Sequence, residues 1–595
     1  MVCQKCGSHV NDGESFCPVC GEPVGTGAAG VEQNQAGMPD AAQAGGFRKF
    51  VTGHKWQLTA GAAVILVIAL VVVFLNWEVL SHCIRRTFSS PEDYYHYVEK
   101  KSVEALTANV GELYGRYFLD NLDISDRSVS ARVDITLGEG SRELMNLAGL
   151  AGVDLSWLES MSYTMVSSMK REALAMELGV VLNGVDIVTG NMVYDLEDKA
   201  VYVQVPKINE RYLGVAVPDS GYDDVDEIWE TYEMLAAVCP DQKELEELLG
   251  RYLMTVVTCM DDVSRQKGIL SVEDIEQKCT VLTVTADANT FRNAAIEILR
   301  LMQTDEDIER IIKEAAANED FMEELELEDR SPEEAYEQFR KRTAEKIEGL
   351  VSSGELAVSD DETFRMKVYV DRKGKIVGRI METDNVTLSR LMPEKGKQFG
   401  YELSYEDFYY EDPDYDESWY LTGTGMRDDD RIDGKFILAY CNMPFLNIRL
   451  QDLHTAEMKK GMLSGHMILG LTEDVEEQME YSPGLSIIQG MELAMDFVTE
   501  EDSGKCDMRL SMRDRDFVDI SVSYERHEGY QGADPGTNVV IVTGEEELIE
   551  WSKYLHMTEL SDSLKQAGVP SEFTDALDVF DKMDKETLIR MMYYY

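Results

Sequence analysis

Residues Ala173–Val205 read ALAMELGVVLNGVDIVTGNMVYDLEDKAVYVQV. Asn183-Gly184 separates the first two runs, and Asn-Gly between apolar stretches is a strong short-range hairpin signal, because a two-residue turn that matches strand twist needs positive φ at both positions. Glu197-Asp198 marks a second turn, Ala200 to Val205 is a third run, and Pro206 cannot donate to a ladder and ends it. The stretch predicts an antiparallel meander. Further runs of the same kind extend it in both directions. Arg127 to Ile135 alternates, Thr280 to Thr285 reads as a strand, and Phe364 to Asp371 and Lys375 to Glu382 flank Arg372-Lys373-Gly374. Strand-like runs follow at 435–441, 445–452, 463–471, 492–498, 507–512 and 517–525. Many short strands at similar spacing predict antiparallel sheet, and the lack of a fixed-period repeat argues against a solenoid.

Helices punctuate the strands. Ser90-Pro91-Glu92-Asp93 is a helix start, with a Ser cap, Pro at the first helical position and acids at the positive end of the dipole. Val103, Leu106, Val110, Leu113 and Tyr117 then recur at helical spacing. Phe291, Ala295, Ile298, Leu301, Ile308, Ile311 and Ala315 predict one long helix. Ser331-Pro332-Glu333-Glu334 opens another bearing Tyr336, Phe339, Thr343, Ile347 and Leu350. The acid-rich stretch 318–330 between them reads as a solvated connector, and the tail returns to helix from Glu545 to Leu555 and in pieces from Ser571 to Met592.

A chain of 595 residues is long enough for three to five units. Hydrophobic content of 44% excludes wholesale disorder. The formal charge of −56 opposes association with phosphate backbones, so no nucleic-acid partner is expected.

The amino terminus has a different composition. Cys3 and Cys6 with Gly7, then Cys17 and Cys20 with Gly21, form two C-x-x-C-G knuckles that can offer four thiolates to one tetrahedral zinc. With all four positions supplied by protein, the metal is expected to be structural rather than catalytic, and so small a unit folds only with its metal. A redox C-x-x-C comes singly on a larger frame. His9 reads as a solvated loop residue. Over Met1 to Pro23 this pattern resembles the zinc-ribbon head of single-pass membrane proteins of Gram-positive bacteria, as in the teicoplanin-resistance-associated architecture. That resemblance implies a ribbon inside the cell and a large domain outside it, and it reaches no further along the chain than the topology.

Gly25 to Gly46 reads as a flexible tether. Leu58 to Leu75 (LTAGAAVILVIALVVVFL) is eighteen residues without a charge, bracketed by Trp56 and Trp77, and as a helix it spans about 27 Å. It predicts a membrane-spanning segment, distinct from a cleaved signal peptide and from a lipidation box, since His82 rather than a small residue precedes Cys83. Arg48, Lys49 and Lys55 before the run against Arg85 and Arg86 after it decide little by themselves. The thiolates, safest in a reducing compartment, tip the reading to a cell-membrane protein with a cytoplasmic amino terminus and an extracytoplasmic carboxyl-terminal domain. The expected fold class is multidomain: a small zinc ribbon, one transmembrane helix, and a large α+β ectodomain rich in antiparallel sheet. The expected boundaries are 1–24 ribbon, 25–55 linker, 56–77 transmembrane helix, 86–355 α+β domain, 356–540 mainly antiparallel β domain and 541–595 helical segment.

Catalytic templates fail: there is no H-E-x-x-H, G-x-S-x-G or Walker loop. Ser167-Ser-Met-Lys170 and Ser264-Arg-Gln-Lys267 match S-x-x-K without its companion motifs, and Gly423-Thr-Gly425 reads as a strand bend. His454, His466, His527 and His556 show no partner spacing. Tyr401 to Tyr420 (YELSYEDFYYEDPDYDESWY) interleaves aromatics with acids. Its Asp412-x-Asp414-x-Asp416 misses calcium-loop geometry at Glu417 and Gly423, which leaves a solvated connector or a surface for a partner. Cys83, Cys239, Cys259, Cys279, Cys441 and Cys506 permit disulfides that sequence cannot assign; Cys239 with Cys259, or buried thiols throughout, are equal readings. The expected function is a non-enzymatic binding or sensing protein of the cell envelope with a protein or envelope partner. An extracytoplasmic hydrolase with a dispersed site and an envelope scaffold are the alternatives.

Overall fold

In the computed structural model the chain divides into two compact units, Met1–Leu58 and Thr59–Tyr595. The structure describes residues 89–122, 126–142, 145, 155–217, 232–233, 235–317, 331–352, 363–407, 417–459, 461–480, 489–513, 515–586 and 589. The knuckle cysteines, the tether, the Leu58 to Leu75 run, Cys83, the 318–330 connector and Asp412 to Asp416 lie outside the described residues.

Among the described residues a single sheet of 21 strands dominates. Its first strands are β1 (Arg127–Leu137), β2 (Ser160–Lys170), β3 (Ala173–Leu182), β4 (Val185–Asp195), β5 (Ala200–Val205) and β6 (Asn209–Ala216). Then come β7 (Val263–Val272), β8 (Ile275–Ala286), β9 (Phe364–Val370), β10 (Ile376–Glu382), β11 (Val386–Leu391), β12 (Glu394–Lys395), β13 (Gln398–Asp407) and β14 (Trp419–Asp428). The last are β15 (Arg431–Tyr440), β16 (Met443–His454), β17 (Ser464–Leu471), β18 (Met491–Thr499), β19 (Ser503–Met512), β20 (Arg515–Glu528) and β21 (Val539–Val542). The chain begins mid-sheet at β1 and runs outward by consecutive antiparallel pairing to β6. It re-enters at the far edge with β7 and returns by antiparallel neighbours until β20 pairs with β1, Val522 opposite Val133. The short β21 closes the other edge, parallel to β6. The predicted meander forms as β3, β4 and β5, with Asn183 and Gly184 at φ 50° and 77°.

This architecture corrects the expected fold class. An α+β ectodomain is replaced by one sheet-dominated unit, whose ladder runs through 355/356 by way of β8 and β9, Leu282 opposite Val368. Among the described residues no helix is long and apolar enough to cross a membrane. That finding overturns the single-pass reading and its inside-to-outside localisation, which were drawn from the apolar run Leu58 to Leu75, its flanking basic residues, the thiolates and the ribbon resemblance. Every described helix carries charge: even the longest, α1 (Pro91–Tyr114), bears Glu99, Lys100 and Lys101 within one turn.

Two layers bury the rolled end of the sheet. Helix α1, capped by Ser90 accepting from Asp93 N at 3.0 Å, lays Tyr94, Tyr95 and Val98 on Leu282, Val284, Val368 and Val370, all essentially sealed from solvent. Each such side chain contributes about 1.5–3 kcal/mol relative to exposure. On the reverse of the same strands, Leu270, Val272, Cys279, Val377 and Leu391 form a second core, because β7 folds back across the sheet. Gly400 of β13 makes that possible: a Cβ there would lie 2.8 Å from Val272 Cβ and 2.9 Å from its carbonyl oxygen.

Two helical insertions interrupt the strands: α2 (Gln242–Thr258) between β6 and β7, and α3 (Ala288–Met302), α4 (Glu306–Ala316) and α5 (Pro332–Ser352) between β8 and β9. The single long helix expected from Phe291 to Ala315 is two helices. Asp305 breaks it by capping α4, its side chain accepting from Asp307 N, and it is held by Arg251 at 3.0 Å. The tail supplies α6 (Glu545–Ser552), α7 (Thr558–Gln566) and α8 (Ser571–Phe580). Asn183 ties α7 to the meander turn by donating to Ala567 O at 2.6 Å.

Candidate functional site

The alternation of the long strands sorts the two faces of the sheet. One face carries the row Leu450, Met467, Met495, Met508, Ile520, Ile135, Met161 and Leu182 across eight neighbouring strands. The other face is charged, and both large cavities open on it.

The first cavity, about 580 Å³, lies where the β7–β8 turn overhangs the charged face. Thr422, Ile437, Asn447, Gly470 and Glu492 are register partners across β14 to β18 and form its floor. Lys435 and Arg449 sit one step along the strands, and Glu273 and Asp274 at the turn form the opposite wall. An adjoining cavity of about 410 Å³ shares Asp274, Thr424, Lys435 and Arg449. Arg449 Nη2 contacts Glu492 Oε2 at 2.5 Å. Beside Thr422 in register, half-buried Glu402 accepts from Ser389 Oγ at 3.2 Å. Burial pushes its carboxyl above the usual range, Ser389 opposes that shift, and the negative charges of Glu406 and Glu273 add to it.

The charged face continues over β18, β19, β20, β1 and β2, where Ser130, Arg132, Thr164, Glu500, Lys505 and Glu525 line a second cavity of about 770 Å³. Pairs on this face include His466 with Asp496 at 2.8 Å, Lys505 with Asp507 at 2.7 Å, Arg509 with Asp519 at 2.7 Å and Arg132 with Asp134 at 2.7 Å. The hydrogen bond from Arg132 holds the Asp134 carboxyl below the usual range, helped by Ser162, and Lys505 followed by Ser521 does the same for Asp507. From β14 to β2 the trough crosses nine strands, or about 38 Å at the usual strand spacing.

Several expectations meet this geometry directly. Ser167 and Lys170 lie three apart on β2, on opposite faces, and Ser264 and Lys267 do the same on β7, so neither S-x-x-K pair converges. Gly423 and Gly425 are not a bend but lie within β14, where the Lys435 carbonyl with Phe436, and the Phe399 ring with the Asp433 carbonyl, take the space of their Cβ atoms. The Tyr401 to Tyr420 segment is strand at both described ends, and Tyr401 packs edge-on against Phe436. Cys239 and Cys259 are free thiols rather than a disulfide, and burial pushes both thiols up. His466 has a carboxylate partner that only the β17–β18 register reveals. Ser130 Oγ lies 3.0 Å from His527 Nε2, but Glu525 Oε1 is 3.9 Å from the ring's other nitrogen, beyond the hydrogen bond that orients a general base. Among the described residues no group of three metal-ligating side chains converges.

The comparisons with known proteins reach one part of the chain. Residues 2–24 match the zinc-ribbon domain family, so the amino terminus is a zinc-ribbon domain. No curated protein matches the chain.

Proposed function

We propose that the chain is a binding protein rather than an enzyme, in which the charged trough of the sheet takes an extended polar segment of a protein partner. The observation that carries this reading is the continuity of the trough: two cavities on one face, lined by side chains from successive strands, with no oriented nucleophile and base within them. Rigid strands hold such side chains in fixed register, as an extended recognition surface requires. The zinc ribbon is a second module. Cys3, Cys6, Cys17 and Cys20 would hold one structural zinc, since four thiolates complete a tetrahedral shell and leave no open position. Bound there, the ion would supply folding energy for the head and no reaction.

Gly470 offers a test. A Cβ there meets only Met491 O at 3.9 Å, so Gly470→Trp starts from open space on the cavity floor, and unfolding of the variant in the absence of ligand checks that the sheet is intact. A thermal-shift panel of polar peptides should identify ligands that stabilise the wild type and fail to stabilise Gly470→Trp. Equal stabilisation of both proteins by every ligand would place binding elsewhere.

A further inference from the structure

We propose that the cavity under the β7–β8 turn binds a short zwitterionic peptide, its ammonium end toward Glu273 and Asp274 and its carboxylate end toward Lys435 and Arg449. This inference rests on the trough being a binding site. The two walls carry opposite charge across a cavity of about 580 Å³. Elsewhere on the face several basic side chains are matched to acids on the same or the neighbouring strand, as in Arg132 with Asp134 and Arg509 with Asp519. Here the pattern breaks in part: Arg449 is held by Glu492, but among the described residues Glu273, Asp274 and Lys435 have no oppositely charged group within 4.0 Å.

The turn itself carries strain. Glu273 sits at φ 51°, a left-handed conformation that favours glycine or asparagine, so an acid is held at the overhang against its backbone preference. A dianion such as phosphate would face Glu273, Asp274 and Glu492, and a simple cation would face Lys435 and Arg449. A ligand with separated ends of opposite sign satisfies both walls, while Thr422 and Asn447 on the floor present hydrogen-bonding groups to the amides between.

Triglycine, N-acetyl-triglycine and triglycine amide, titrated calorimetrically into the full chain at low salt, test the assignment. Triglycine should bind, and each cap should weaken binding by about tenfold, or about 1.4 kcal/mol. Lys435→Glu should erase the penalty for the amide cap alone, and Glu273→Gln should reduce the penalty for the acetyl cap alone. Both side chains are exposed, so neither variant threatens the fold. Equal binding of all three peptides to the wild type, or no binding of triglycine at millimolar concentration, overturns the proposal. Penalties that persist unchanged in both variants also overturn it. The trough reading stands or falls separately, on whether Gly470→Trp abolishes the ligands found in the wider panel.

Discussion

Arg379 on β10 grips Glu99 on α1 with two parallel hydrogen bonds, Nη1 to Oε1 at 2.6 Å and Nη2 to Oε2 at 2.7 Å, while Nη2 also donates to Ser102 Oγ at 2.8 Å. The Glu99 side chain is 5% exposed. A fork this well satisfied offsets the desolvation of both ions, but removing one partner strands the other. Arg379→Ala and Glu99→Ala should each cost about 3–5 kcal/mol in urea unfolding. Glu99→Leu with Arg379→Met should cost far less than the sum. Additive losses would show that the pair is not coupled.

Gly400 governs whether β7 can cross the sheet. Gly400→Leu places a Cβ inside contact distance of Val272 Cβ and its carbonyl oxygen, so β7 must lift away. Overpacking of this kind costs about 1–3 kcal/mol, and it should enlarge the cavity beneath Glu273 and Asp274. Gly470→Ala, with no neighbour closer than 3.9 Å, should be neutral by the same denaturation assay. Comparable losses in both would remove the steric account of the roll.

Strands whose two faces differ were legible in the sequence, because alternation and turn chemistry are local. Asn183-Gly184, Gly374 and the runs that became β15 to β20 were readable for that reason. β2, β7, β13 and β14 were not. β13 hides inside an acid-rich stretch in which Tyr401, Leu403 and Tyr405 face one side and Glu402, Ser404 and Glu406 the other. Acidity masked an ordinary alternation. The trough was invisible for a different reason: Lys435, Arg449 and Glu492 are far apart in sequence, and only the register of β15, β16 and β18 brings them to one face. The same holds for Glu99 and Arg379, whose pairing depends on where α1 docks. The zinc-ribbon domain was legible, since its cysteine pattern is local in sequence.

Glu402 should make the rolled end less stable at neutral pH than its amide counterpart. Its folded carboxyl titrates above the unfolded value because burial disfavours the charge. Its contribution is therefore most favourable below the unfolded pKa and is lost as pH rises through the folded one. Glu402→Gln should raise the melting temperature at pH 7, with the difference vanishing below about pH 4. The acceptor for Ser389 Oγ is retained in the variant. A difference independent of pH would mean that packing, not ionisation, is responsible.

Cys17→Ser should unfold the amino-terminal ribbon and leave the sheet unit untouched, because a domain of this size depends on its metal. Two observables separate the effects: zinc content by atomic spectroscopy should fall toward zero, and the main unfolding transition should not move. Retention of stoichiometric zinc would exclude the four-thiolate site.

A chain of net charge −56 repels itself, and added ions relieve that repulsion over a Debye length of about 8 Å at physiological salt. Melting temperature should therefore rise with sodium chloride. Whether divalent cations do more depends on geometry. Specific calcium binding needs six to eight converging oxygens, and among the described residues no group of three or more acids, histidines or cysteines comes together in that way. Many of the acids are already engaged by a base, as Asp134, Asp507 and Asp519 are, which leaves fewer to converge on an ion. Calcium chloride and sodium chloride at equal ionic strength should then give the same shift. A further gain of several degrees with low millimolar calcium would require a bound ion and, by linkage, an affinity well below the added concentration.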